Sequence, residues 1–80
     1  MKEVNLSHAR LKGACMRGAQ LRGATLSGAD LEEADLEGAI LFEADLTGAN
    51  LNKAVGTSNE QLNQAKSLQG ATMPDGLIHS

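Results

Sequence analysis

Apolar side chains recur along this chain at every fifth residue. Ala stands at positions 9, 14, 19, 24, 29, 34, 39, 44, 49 and 54, and two residues after the successive alanines stand Leu11, Met16, Leu21, Leu26, Leu31, Leu36, Leu41, Leu46 and Leu51, with Leu6 opening the series. A fixed internal period takes precedence over any local assignment of helix or strand. On an α-helix a step of five residues turns the side chain by about 140°, so the leucines would spiral over every face. On a flat strand the odd spacing would send successive leucines to opposite sides. The remaining solution bends the chain once per unit. Ala and the following Leu both enter a common interior, the residue between them points outward, and the residues after Leu make a corner.

The corner slot holds Gly13, Gly18, Gly23, Gly28, Gly38 and Gly48, as expected where turn geometry favours a residue without Cβ. His8, Glu33, Glu43 and Lys53 occupy the same slot, so the sequence implies a corner that does not always demand glycine. Units such as ADLEG at Ala34 to Gly38 and ADLTG at Ala44 to Gly48 resemble the pentapeptide-repeat family through about residues 4 to 55. That resemblance implies an all-β solenoid, a right-handed quadrilateral β-helix with four units per coil. The period of five does not by itself fix that geometry.

If four units make one coil, residues twenty apart stack at about the 4.8 Å strand spacing. Residues 1–55 then form one β-helical region of roughly two and a half coils. The expected core is Leu6, Leu11, Met16, Leu21, Leu26, Leu31, Leu36, Leu41, Leu46 and Leu51, with Leu6, Leu26 and Leu46 in one ladder. Outside, the same offset sets Arg10 beneath Asp30, Lys12 beneath Glu32, Arg17 beneath Glu37 and Glu33 beneath Lys53. Such pairs favour the register and are worth a few tenths of a kcal/mol each when solvated.

The rhythm stops after Ala54, where Gly56 replaces the expected Leu. Residues 56–80 are therefore read as a C-terminal cap. Thr57-Ser58-Asn59-Glu60 has the form of a capping box. It opens a helix expected over about 58–67 that lays Leu62, Ala65 and Leu68 across the last coil. One further repeat-like unit follows at 70–74, out of register with the earlier series, and Pro74-Asp75-Gly76 is a turn signal. Only Met1 to Glu3 precede the first unit, so the N-terminal coil is expected to be uncapped. Self-association through that end is the expected consequence.

Composition adds limits. Phe42 is the only aromatic, so the core must rely on regular stacking of Ala and Leu rather than on bulk. A net charge of -3 argues for neither nucleic acid nor an anionic membrane as partner. No apolar run is long enough to span a bilayer and no signal-like segment opens the chain, which makes the cytoplasm the expected location. Charge is segregated all the same. Residues 10 to 22 carry Arg10, Lys12, Arg17 and Arg22 with no acid, while residues 30 to 45 carry seven acids and no base.

No catalytic, cofactor or metal constellation is present in the sequence. His8, His79 and Cys15 lie too far apart to supply a zinc site, and Cys15 falls in an outward slot without a positioned base. Asp30, Asp35 and Asp45, with Glu32, Glu37 and Glu43, sit on a convex surface that offers no cleft to shift a pKa. Ile40 and Phe42 differ from these, because both are apolar and both fall in outward slots flanking Leu41. The expectation is a non-enzymatic interaction module that presents Ile40 and Phe42 to a protein partner. The alternative implied by the resemblance is a DNA mimic acting on DNA gyrase or another topoisomerase, against which the short chain and its basic first coil both count.

Overall fold

Leu, two further residues and the next Ala close one turn. The amide of Ala9 donates to the carbonyl of Leu6 at 3.0 Å, and the same bond recurs in each unit up to Ala54 and Leu51. These turns are of type II, in which the third residue takes positive φ. In the computed structural model, which describes residues 4–79, φ lies between 68° and 73° at the six corner glycines up to Gly48. His8, Glu33, Glu43 and Lys53 adopt the same left-handed geometry, with φ of 60° to 62°. The corner thus takes positive φ in every one of these units without always demanding glycine, as its mixed composition implies. Four side chains accept that conformation at a cost of about 1–2 kcal/mol each.

Four such turns make one coil. Parallel bridges join Asn5 to Thr25, Arg10 to Asp30, Cys15 to Asp35 and Gln20 to Ile40, and the next coil continues through Thr25 to Asp45, Asp30 to Asn50 and Asp35 to Val55. Each rung is a slanted parallel pair: Leu26 N–H donates to Asp45 O at 2.7 Å and Asp45 N–H donates to Ala24 O at 2.9 Å. The result has four faces, each bridged through single residues rather than through extended strand. The first face contains slots Asn5, Thr25 and Asp45, the second Arg10, Asp30 and Asn50, the third Cys15, Asp35 and Val55, and the fourth Gln20 and Ile40.

The outward slot also satisfies a backbone donor that the ladder leaves over. The amide two residues beyond the slot belongs to the second turn residue and points away from the coil above. The side-chain oxygens of Asn5, Asp30, Asp35, Asp45 and Asn50 accept this amide at 2.9 to 3.1 Å, which is the Asx-turn contact. Asp30, Asp35 and Asp45 thus each have a structural use within their own turn.

The interior is apolar and stacked by type. Leu21, Leu26, Leu31, Leu36, Leu41, Leu46 and Leu51 are at most 1% exposed, and Met16 is buried. Leu6 and Leu11, expected in the core, are only half-buried and pack against it from the first coil. Of the expected charge pairs, Lys12 meets Glu32 at 3.9 Å and Arg17 meets both Glu37 and Asp35. Arg10 with Asp30 and Glu33 with Lys53 are stacked but form no ion pair among the described residues.

The C-terminal region departs from the sequence reading in three ways. Helix α1 spans Asn59–Asn63, shorter than 58–67, and its capping box is Ser58 with Gln61 rather than Thr57 with Glu60. Leu68 is not helical: it is the buried central residue of a new unit, because Ser67 bridges Asp45 and Thr72 bridges Asn50. Both bridges have an offset of 22 instead of 20, so the detour through α1 takes twelve residues, Val55 to Ser67, where two regular units take ten. Two repeat-like units, 66–70 and 71–75, accordingly resume the coil in place of the single one expected at 70–74. After the turn at Pro74 to Gly76 the chain reverses, and Ile78 pairs antiparallel with Thr72. Met1 to Glu3, on which the expectation of an uncapped N-terminal end partly rests, lie outside the described residues.

At Gly56 the chain leaves the coil. Its φ is 75°, and a Cβ there would stand 2.5 Å from both Cα and N of Glu37. Gly13 has similar φ, with open space around the same position. Gly56→Ala should therefore cost about 3 kcal/mol or more, against about 1 kcal/mol for Gly13→Ala, as measured by urea unfolding of the two variants.

Asp45 yields a second expectation. Its carboxylate accepts the Thr47 hydroxyl at 2.6 Å and the Thr47 amide at 3.0 Å. These two bonds, helped by the charge of Lys66 and opposed by partial burial, hold its pKa below the ordinary 3.8. A carboxylate with a lowered folded pKa contributes stability above its unfolded value and loses it as the pH falls through the folded one. The melting-temperature difference between the native chain and Asp45→Asn should thus be constant from pH 7 to 5 and shift against the native chain below pH 3.8. A difference that stays flat down to pH 2.5 would contradict the assignment.

Candidate functional site

On three faces of the coil the bridged slots continue into a third coil, at Asp45, Asn50 and Val55. The fourth stops short. Its slots are Gln20 and Ile40, neither of which makes an Asx contact, and no third-coil bridge stands above Ile40 because the chain has diverted into α1. In a continued ladder the residue twenty-one beyond Ala39 would donate to the Ala39 carbonyl, as Ile40 N–H does to Ala19 O at 2.9 Å. Gln61 takes over this duty with its side chain. Its Nε2 donates to Ala39 O at 2.7 Å and to Leu36 O at 2.9 Å, while its Oε1 accepts the Ser58 amide at 3.2 Å. Leu62, one residue on, is buried in the core. α1 is thus fastened over the end of the fourth face by a residue that also completes its own N-terminal box.

This arrangement leaves Ile40 44% and Phe42 41% exposed. A shallow, open depression beside them is lined by Gly38, Ala39, Ile40, Glu60, Gln61 and Gln64. Below, Arg22 lies with its guanidinium carbon 5.1 Å from the centroid of the Phe42 ring, a cation-π contact. Arg22 forms no ion pair among the described residues. The offset of twenty that stacks Arg22 under Phe42 was available in the sequence, but a search for opposite charges alone passes over it.

The other chemistry-bearing residues do not converge. Cys15 is a free, exposed thiol on the third face. His8 occupies its left-handed corner with the ring against Gly28, and His79 lies in the tail, where its amide donates to Ala71 O. Among the described residues no group of three His, Cys, Asp or Glu is arranged to hold a metal ion. No helix among them is long and apolar enough to cross a membrane. Val55, Leu77 and Ile78 are also exposed apolar residues, the last two on the antiparallel tail.

Comparison with known proteins agrees with this geometry. The family described as Pentapeptide repeats matches in 8 copies over residues 1–23 and 19–55. No curated protein matches the chain. Among solved structures, HetL, a pentapeptide repeat protein involved in heterocyst differentiation regulation from the cyanobacterium Nostoc sp. strain PCC 7120, superposes with a TM-score of 0.58 at 37% identity. The match covers 99% of this chain and 40% of HetL, so the chain spans less than half the length of that relative. The likeness supplies the hand of the coil, a right-handed β-helix. Period, four-sided coil and family match coincide over the same residues, and the chain belongs to the pentapeptide-repeat family.

Proposed function

We propose that this chain is a non-enzymatic protein-interaction module whose docking face is the fourth side of the coil, with Ile40 and Phe42 as its apolar anchors. One observation carries the reading: the two largest apolar side chains outside the core in the regular coils, Ile40 and Phe42, stand exposed where the slot ladder of the fourth face ends at Ile40. The convex surface and dispersed titratable groups favour contact over catalysis. The involvement of HetL, a family relative, in heterocyst differentiation regulation is consistent with a role exercised through contacts. A DNA mimic for gyrase is the poorer fit, because four acids of the second coil, Asp30, Glu32, Asp35 and Glu37, are paired with or stacked over bases of the first.

Ile40→Ser/Phe42→Ser removes the anchors without touching the core. The double variant should melt within a few degrees of the native chain and lose partners that the immobilised native chain retains. Undiminished capture by a folded double variant would remove this face from the proposal.

The first coil supports a second surface, for association with another copy of the chain. Leu6, Leu11, Ala14 and Ala19 are half-buried there, whereas their counterparts one coil on, Leu26, Leu31, Ala34 and Ala39, are 0 to 5% exposed. Among the described residues, the amides of Cys15 and Gln20 have no ladder partner of the kind that Asp35 and Ile40 have. Such an edge favours pairing. Arg10, Lys12, Arg17 and Arg22 ring the same coil, so like charges oppose the contact and added salt should strengthen it. Equilibrium sedimentation should show a dimer fraction that rises from 50 mM to 500 mM salt, both chosen to span about 14 to 4 Å of screening length. A clean monomer at high concentration in both would end the idea.

A further inference from the structure

The docking face has a direction, and it specifies the chemistry of what binds. Its lower end is Arg22, a cation without an acid partner among the described residues and stacked on Phe42. Its middle is the apolar pair Ile40 and Phe42. Its upper end is the depression under α1, where Glu60 stands with the amide side chains of Gln61 and Gln64. Glu43, at the corner after Phe42, is the other nearby acid. Gln61 is committed to Ala39, Leu36 and Ser58, so Glu60 and Gln64 are the groups left for a ligand.

From these three levels we infer that the face takes a short segment of a partner protein bearing a carboxylate, then an aliphatic or aromatic side chain, then a cation. The carboxylate seats on Arg22, where a bidentate contact is available. The apolar side chain lies between Ile40 and Phe42, and the cation reaches Glu60. Arg22 belongs to the first coil and Glu60 to the level of the third, two rungs or about 10 Å apart. An extended segment advances about 3.3 Å per residue, which places acid and base about three positions apart in the bound sequence. A second copy of this chain fits the order poorly. Its exposed tail offers Leu77 and Ile78 after Asp75 but only His79 as a base.

This inference rests on the docking reading above and is separable from it by experiment. A phage library of random dodecapeptides is panned on the immobilised native chain and counter-selected on Ile40→Ser/Phe42→Ser. The most enriched sequence is then synthesised and its affinity measured by fluorescence anisotropy. The expected winners carry acid, apolar and basic residues in that spacing. Arg22→Glu should weaken the synthetic peptide on the order of tenfold, and replacing the peptide's own acid by Lys should restore binding to that variant. Peptides that require Ile40 and Phe42 but lack the acid, or ignore Arg22→Glu, overturn the chemical specification and leave the docking face standing. A selection yielding no peptide that depends on Ile40 and Phe42 overturns both. Exchanging the charge on the peptide against the native chain gives the same test should Arg22→Glu fail to fold.

Discussion

Everything in this molecule depends on one short hydrogen bond and the backbone angle that permits it. The Ala amide reaches the Leu carbonyl three residues back through a type II turn, in which the residue before Ala takes positive φ. Once it does, the chain turns a corner, and both Leu and the next Ala face the axis. The cost is large enough that four non-glycine residues in this conformation are not free. It is met because each corner also sets the Leu that stacks under its neighbours in the coils above and below, and a fully buried Leu contributes roughly 1.5 to 3 kcal/mol. Local strain and long-range burial are thus tied together in every unit. That coupling is why a chain with one aromatic residue builds a closed core.

The ladder makes the interior regular and the exterior permissive. A slot residue contributes its backbone to the bridge whatever its side chain, so Arg, Cys, Gln, Thr, Asp, Ile, Asn and Val all occupy slots up to Val55. Asp and Asn do more than occupy them, since their oxygens accept the turn amide that the ladder leaves over. Where the ladder is interrupted the same accounting applies. The Ala39 carbonyl loses its expected donor and Gln61 supplies another, as buried backbone acceptors require. Ser67 continues the pattern after the detour. Its oxygen accepts the Gln69 amide at 3.2 Å and its hydroxyl donates to Thr47 Oγ1 at 2.9 Å.

How much of this was legible follows from which interactions are periodic. Ala and Leu spacing revealed the bent unit, the outward slots and the placement of Ile40 and Phe42, because those follow from repetition alone. The sign of φ at His8, Glu33, Glu43 and Lys53 was hidden, since side-chain identity at a corner reports tolerance rather than geometry. The helix was overextended for a related reason. Leu62, Ala65 and Leu68 fit one helical face as well as they fit a short helix followed by a returning coil, and the twelve-residue detour has no counterpart in the earlier units from which to predict it. Thr57 with Glu60 and Ser58 with Gln61 are both plausible boxes. Only the carbonyls of Leu36 and Ala39, brought close by the coil, favour the glutamine. The burial of Leu6 and Leu11 was overestimated because a ladder's first member has a neighbour on one side only.

The proposed docking face lies where the repeat is interrupted. On the first three faces the bridges continue into the third coil, and the Asp and Asn slots among them accept the spare turn amides. On the fourth face the slot ladder ends at Ile40, Gln61 fastens α1 over the coil, and an apolar pair lies open between Arg22, without an ion pair among the described residues, and Glu60 above. A continued coil would have placed a slot residue over Ile40; here the ladder is taken up again at Gln64, whose carbonyl accepts the Glu43 amide at 2.7 Å. The departure at Gly56 is therefore more than an ending of the solenoid: by carrying two extra residues around the fourth side, it leaves the Ile40 slot of the proposed docking face without a rung above it and sets Glu60 at its upper edge.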